Sequence, residues 1–107
     1  MITVDGDVIK LTRGDTETLQ AIPDDAEGNP YVLQEGEYIE FCLKRDPDDS
    51  EVLIRKTSMD GNFSFQRSDT WELGGRYHYN FRVENGMDSF HTFIEGTFVV
   101  TDVVDDA

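Results

Sequence analysis

The sequence predicts an all-β protein, an antiparallel β-sandwich of about seven strands with one short helical turn, folded as a single domain over residues 1–107. Three observations lead there. From Arg76 to Val83, Tyr77, Tyr79, Phe81 and Val83 alternate with Arg76, His78, Asn80 and Arg82, the period of a strand with one face in a core and the other in water. Turn residues recur at short intervals, as in Arg13-Gly14-Asp15, Glu35-Gly36-Glu37, Asp60-Gly61-Asn62 and Glu84-Asn85-Gly86, a spacing that suits a sandwich or a barrel. Seven Phe, four Tyr and one Trp supply a core for a chain whose acidity would otherwise read as disorder.

Val8 to Leu11 is the expected first strand, with Ile9 and Leu11 on one side, and Arg13-Gly14-Asp15 is a tight turn after it. Thr16 to Ile22 reads as a second strand with Leu19 and Ala21 facing in, and residues 23–30 are loop chemistry throughout. Tyr38 to Lys44 alternates Ile39, Phe41 and Leu43 with Glu40, Cys42 and Lys44; the charged loop Arg45-Asp46-Pro47-Asp48-Asp49-Ser50 then leads to a return strand from Val52 to Thr57. A short strand over Asn62 to Phe65 precedes a helical turn with Ser68 as N-cap and Trp71 or Leu73 plugging the end of the core. Gly74-Gly75 launches the alternating strand, and Asn85-Gly86 suits a type I′ hairpin turn into a last strand from Phe90 to Val100. There Phe93 and Ile94 break the alternation, and Gly96 marks a bulge or a bend. The expected core is Leu19, Ile39, Phe41, Leu43, Tyr77, Tyr79, Phe81 and Phe98.

Nine Lys and Arg against 23 Asp and Glu give a net charge of −14. Such a surface repels polyanions, and its basic residues are scattered singly, so neither nucleic-acid binding nor an anionic membrane surface is expected. Cys42 is the only cysteine, which rules out an intramolecular disulfide and suits a reducing compartment. No apolar run approaches the ~18 residues of a membrane span, and the start Met1-Ile2-Thr3-Val4-Asp5 has neither the basic nor the apolar part of a signal peptide.

Several short motifs invite a functional reading, each against a plainer one. Arg13-Gly14-Asp15 spells an integrin-recognised tripeptide, but a glycine turn whose aspartate caps the backbone accounts for it. Asp46, Asp48, Asp49 and Glu51 are oxygen donors of the kind calcium takes, yet Pro47 and the missing pivot glycine make them a solvated hairpin tip. Asp5-Gly6-Asp7 and Asp24-Asp25 are weaker cases of the same kind. His78 and His91 flank one hairpin, where cross-strand pairing would bring them together, though a metal would need a third ligand. Nothing sets a serine or Cys42 on a strained elbow or helix N-terminus, and no phosphate loop or dinucleotide fingerprint occurs. No catalytic residue, metal ligand or cofactor is assigned, and the expectation is a protein that is not an enzyme.

Gly75-Arg76-Tyr77-His78-Tyr79 resembles the corner of an immunoglobulin-like sandwich, where a tyrosine early in a late strand is tied to the preceding loop. With Ile9 to Thr16, Ile39-Glu40-Phe41 and Phe93 to Val100 followed by Asp102-Val103, the series resembles small β-sandwich proteins encoded in tail and baseplate regions of phages and prophages of Gram-positive bacteria. It is similar to the N-terminal domain of phage baseplate upper proteins. The resemblance spans nearly the whole chain and implies an immunoglobulin-like virion structural protein. Such a protein would be assembled in the bacterial cytoplasm and would dock on other tail or baseplate proteins, or on itself. It brings no catalytic residues; the positions singled out as structural are Gly14, Asp15, Gly75, Tyr77, Tyr79, Gly86 and Gly96, and residues 102–107 form an acidic tail. A single cysteine excludes the inter-sheet disulfide of an antibody domain. The rival expectation is a carbohydrate-binding module, with Tyr31, Tyr38, Trp71 and Phe90 as candidates for an exposed row of stacking rings.

Overall fold

The computed structural model describes residues 2–85 and 90–102. They form β1 (Ile2–Asp5), β2 (Val8–Thr12), β3 (Glu17–Gln20), β4 (Tyr38–Lys44), β5 (Ile54–Ser58), β6 (Asn62–Phe65), α1 (Arg67–Thr70), β7 (Gly75–Glu84) and β8 (Phe90–Thr101). Six strands make one sheet in the order β1-β2-β8-β7-β4-β5, and β3 pairs with β6 in a second sheet. The chain is mostly β, as expected, but two details are corrected. Ile2–Asp5 is an additional strand, paired antiparallel with β2. The large sheet is mixed rather than antiparallel, because β2 runs parallel to β8, with Ile9 opposite Phe98 and Leu11 opposite Val100.

The alternation sets which face is buried. In β4 and β7, Ile39, Phe41, Leu43, Tyr77, Tyr79, Phe81 and Val83 point inward, and β2 and β8 add Ile9, Leu11, Phe98 and Val100. From the second sheet, Phe63 and Phe65 of β6 meet them. Phe41 lies at the centre, its ring 5.0 Å from Phe81, 5.5 Å from Phe65 and 5.9 Å from Phe98. Of these, the edge-on Phe41–Phe65 contact, a geometry the ring quadrupole favours, crosses between the sheets, as does Phe41–Phe63 at 6.3 Å, while Phe81 and Phe98 lie in the same sheet as Phe41. Leu19 is only half-buried at the margin of this core, because two strands cannot cover the full width of six.

The bulge falls at Phe93, not at Gly96. Phe81 pairs with Ile94 and Arg82 with Thr92, so β8 carries one residue too many at that point. Gly96 answers a different demand: a side chain there would overlap the Asp7 carbonyl, which crowds this part of β8. That carbonyl accepts the Tyr79 hydroxyl at 2.8 Å and the Thr97 amide at 3.3 Å.

At the other end of β7, Gly75 takes a φ of 95°, the left-handed region that favours glycine. The Tyr77 hydroxyl accepts the Gly74 amide at 2.9 Å and donates to the Gly74 carbonyl at 3.0 Å. The helical turn begins two residues earlier than expected: Gln66, not Ser68, is the N-cap, and its backbone amide is accepted by the Asp69 carboxylate at 2.7 Å. Trp71 does not plug the core, since it is 43% exposed; Leu73 packs at the core margin, and Thr70 is fully buried. The turn expected at Asn85-Gly86 falls partly on residues outside those described, and Glu84 pairs with Phe90 across it.

Truncating Phe41 or Phe81 to Ala is expected to cost about 3–5 kcal/mol in denaturant melts, the range for a buried aromatic. Gly96→Ala should destabilise by roughly 2 kcal/mol or more through overpacking against Asp7, while Gly74→Ala, which meets nothing within 4 Å, should be far milder. Equal losses at the two glycines would contradict the close approach.

Candidate functional site

An open concavity follows from the mismatch between the sheets. Where the small sheet stops short, the segment from Ile22 to Glu37 lies against β7 and β8 and leaves an open groove of about 770 Å³. Its floor is apolar, with Ile22, Val83, Phe93 and Ile94, and the bulge puts Phe93 and Ile94 beside one another there. Asp24, Asp25, Glu37 and His91 sit at its rim. Two of these acids are already employed: Asp25 accepts the amides of Glu27 and Asn29, each at 2.9 Å, and Glu37 accepts Tyr31 Oη and the Gln34 amide, each at 2.7 Å. The bond to Glu37 raises the Tyr31 phenol above its ordinary value. This is a braced loop beside a wide groove.

The outer face of the six-stranded sheet carries the densest charge cluster. Glu40 projects from the middle of β4, and its Oε1 accepts Arg82 Nη2 at 2.7 Å and the Cys42 thiol at 3.2 Å, with Arg55 Nε at 3.8 Å. Glu84 shares the same guanidinium, at 3.3 Å from Arg82 Nε. Burial alone would raise the Glu40 carboxyl, but the bonds from Arg82 and Cys42 outweigh it and hold the group below its ordinary range. Burial, then the neighbouring Glu40, push Glu84 the other way. Cys42 is buried, and burial followed by the Glu40 contact raises its thiol, the opposite of what a reactive cysteine needs.

At one end of the sandwich, the Arg13-Gly14-Asp15 turn is docked on α1. Gly14, at φ 82°, donates its amide to Thr70 Oγ1 at 2.8 Å, and a Cβ there would lie 2.8 Å from Trp71 Cε3. The tripeptide is thus a packed turn, not a free recognition loop. The guanidinium carbons of Arg67 and Arg13 lie 4.1 Å and 5.3 Å from the Trp71 ring centre.

Other groupings that the sequence allowed do not form. His78 lies opposite Thr97 and His91 opposite Val83, which places them five residues apart along β7, about 17 Å, so no histidine pair exists. Among the described residues, no three His, Cys, Asp or Glu side chains come close enough to hold a metal ion, and this includes the acids of the 46–51 loop. Of the candidate stacking rings, Tyr31 and Tyr38 are half-buried and Trp71 is overlaid by arginines; the Phe90 side chain lies outside the description. β2 lies inside the large sheet, whose edge strands are β5 and β1, the latter with Thr3, Val4 and Asp5 exposed. No helix is long and apolar enough to cross a membrane among the described residues. Comparison with known protein families, curated proteins and solved structures finds no match to the chain.

The shared guanidinium sets a pH dependence with two opposed parts. Glu84, raised in the folded state, costs stability when ionised, so its removal should stabilise at neutral pH, and that gain should fade as acid protonates the native residue. Glu40, lowered in the folded state, contributes stability above its unfolded pKa, lost as pH falls through the folded one. Glu84→Gln is therefore expected to raise the melting temperature near pH 7 but not near pH 4. Glu40→Gln should cost about 1–2 kcal/mol near pH 7, below the 3–5 of a fully buried pair because Arg82 keeps Glu84 and water. Matching shifts of one sign for both variants would refute the arrangement.

Proposed function

We propose that this chain is a non-enzymatic structural module, an immunoglobulin-like sandwich of a phage or prophage tail or baseplate, that works by binding other tail proteins or further copies of itself. The observation that carries the reading is the free outer edge of β1: a strand paired on one side only, with exposed side chains along it. Such an edge offers unpaired backbone groups to a neighbouring strand. The Tyr77 hydroxyl bonded to the backbone of Gly74 supports the immunoglobulin-like part of the reading, being the contact that defines a tyrosine corner. Tyr31 and Tyr38 are half-buried, which favours this reading over a carbohydrate-binding module, since that needs an open row of rings.

Co-expression with the products of adjacent genes tests the proposal. A stoichiometric complex with a tail or baseplate protein is expected, weakened at least about tenfold by Val4→Pro, a change that disturbs edge pairing. Saturable micromolar binding to simple glycans, lost on Trp71→Ala, would replace this reading with the carbohydrate module.

A further inference from the structure

We infer that the protein pairs end to end with a second copy of itself, the Trp71–Arg13–Arg67 patch of each protomer receiving the Asp46-Pro47-Asp48 loop of the other. The inference rests on the reading of the chain as an assembly module and names the surface it would use on itself. Trp71 is 43% exposed although two guanidinium groups lie over it. Neither arginine forms an ion pair among the described residues, in a chain where 23 acids face nine bases. The patch is held ready by the Gly14–Thr70 hydrogen bond, so little ordering is needed when a ligand arrives. A rigid exposed tryptophan framed by arginines has the composition of an interface hot spot.

The chemistry such a patch selects is a flat apolar group between two carboxylates. The β4–β5 connection presents that group. Asp49 N bonds to Asp46 O at 3.1 Å, closing a tight turn with Pro47 at its second position. Asp46, Pro47 and Asp48 are all exposed, and neither aspartate has an ion pair among the described residues. Loop and patch lie at the same end of the sandwich. Lys44 is opposite His78 at the start of β7, Arg45 lies over Tyr77 at 5.3 Å, and Arg13 N bonds to Thr101 O at the end of β8. Donor and receptor on one end are what a two-fold contact requires, since each protomer then gives and receives the same contact. The net charge of −14 opposes approach, but at about 0.15 M salt it is screened beyond roughly 8 Å, while pairs in contact are screened much less.

Sedimentation equilibrium of the full chain at that salt tests the pairing. The wild type is expected to show a reversible monomer–dimer equilibrium. Trp71 is the single tryptophan, so its emission should move to longer wavelength as dilution dissociates the dimer. Arg67→Glu and Asp48→Lys, both at exposed positions, should each weaken dimerisation about tenfold or more, and an equimolar mixture of the two should recover it, because both contacts are then complementary. Circular dichroism on each variant confirms the fold. A wild type that stays monomeric toward millimolar concentration, a dimer indifferent to both substitutions, or a mixture that fails to recover would each overturn the inference. None of these would touch the broader assembly reading, which stands or falls on the complex with a tail protein.

Discussion

The carbonyl of Asp7 is the point on which the rest of the structure depends. Tyr79 is 1% exposed and sits in the middle of an aromatic core, where a phenolic hydroxyl without an acceptor would carry a full desolvation cost. Its acceptor is supplied from the turn between β1 and β2, 2.8 Å away. Thr97 adds its amide to the same oxygen, and Gly96 leaves the space that lets the turn come so close. Tyr79 thus anchors the N-terminal hairpin against β8, and the parallel register of β2 with β8 follows from that point onward. Ile9 and Leu11 are carried over the core beside Phe98 and Val100. At the far end of the same register, Arg13 reaches the Thr101 carbonyl and its turn meets α1. The geometry of the Trp71 patch is a distant consequence of a hydrogen bond in the core.

Charge is distributed with a pattern that the net value hides. Five of the nine basic residues, Lys10, Lys44, Arg55, Arg76 and Arg82, stand on the outer face of the large sheet, as the register places them on the parity opposite the core. Arg55 and Arg82 there serve the buried Glu40. Lys56 pairs with Asp69 and steadies the cap of α1, and Arg13 and Arg67 frame Trp71. The acids of residues 24–27, 35–37 and 46–51 lie in loops. The outer sheet face also holds Glu40, Glu84 and Glu95, so bases and acids are interleaved there while these loops are acidic.

Where the sequence carried strict alternation, the elements were legible: Tyr38 to Lys44, Asn62 to Phe65 and the strand that begins at Gly75 are where their periodicity puts them. The failures share a cause. Side-chain period tells which face a strand buries but not which neighbour it takes or in which direction, so the parallel pairing of β2 and β8 left no local trace. Ile2–Asp5 is a strand because β2 is beside it, and its mostly exposed residues give no period to read. Gly96 reads from the sequence as a bulge or a bend, because the Asp7 that crowds it lies far away in sequence. The groove and the Trp71 patch were illegible for the same reason. Each joins segments that only the tertiary fold brings together, and the one local signal, an Arg-Gly turn, reads equally well as a turn and nothing more.

An exposed strand edge is a liability for any β protein, and this chain meets it with charge. Asp5 ends β1 and Asp7 follows in the turn, both exposed, on a molecule of net −14. A second molecule approaching at random is repelled, which blunts the edge-to-edge pairing that leads to aggregates. Repulsion of this kind does not close the edge; it raises the threshold for using it. A partner strand must bring complementary charge, or must already be held close by a contact elsewhere, so that pairing becomes an intramolecular event at high effective concentration. A small hot spot at the opposite end of β2 from the Gly6 turn is well suited to that second role. On the proposed assembly reading, an acidic surface, a free edge and one aromatic anchor would work as parts of a single arrangement, in which the anchor supplies the specificity that the edge lacks.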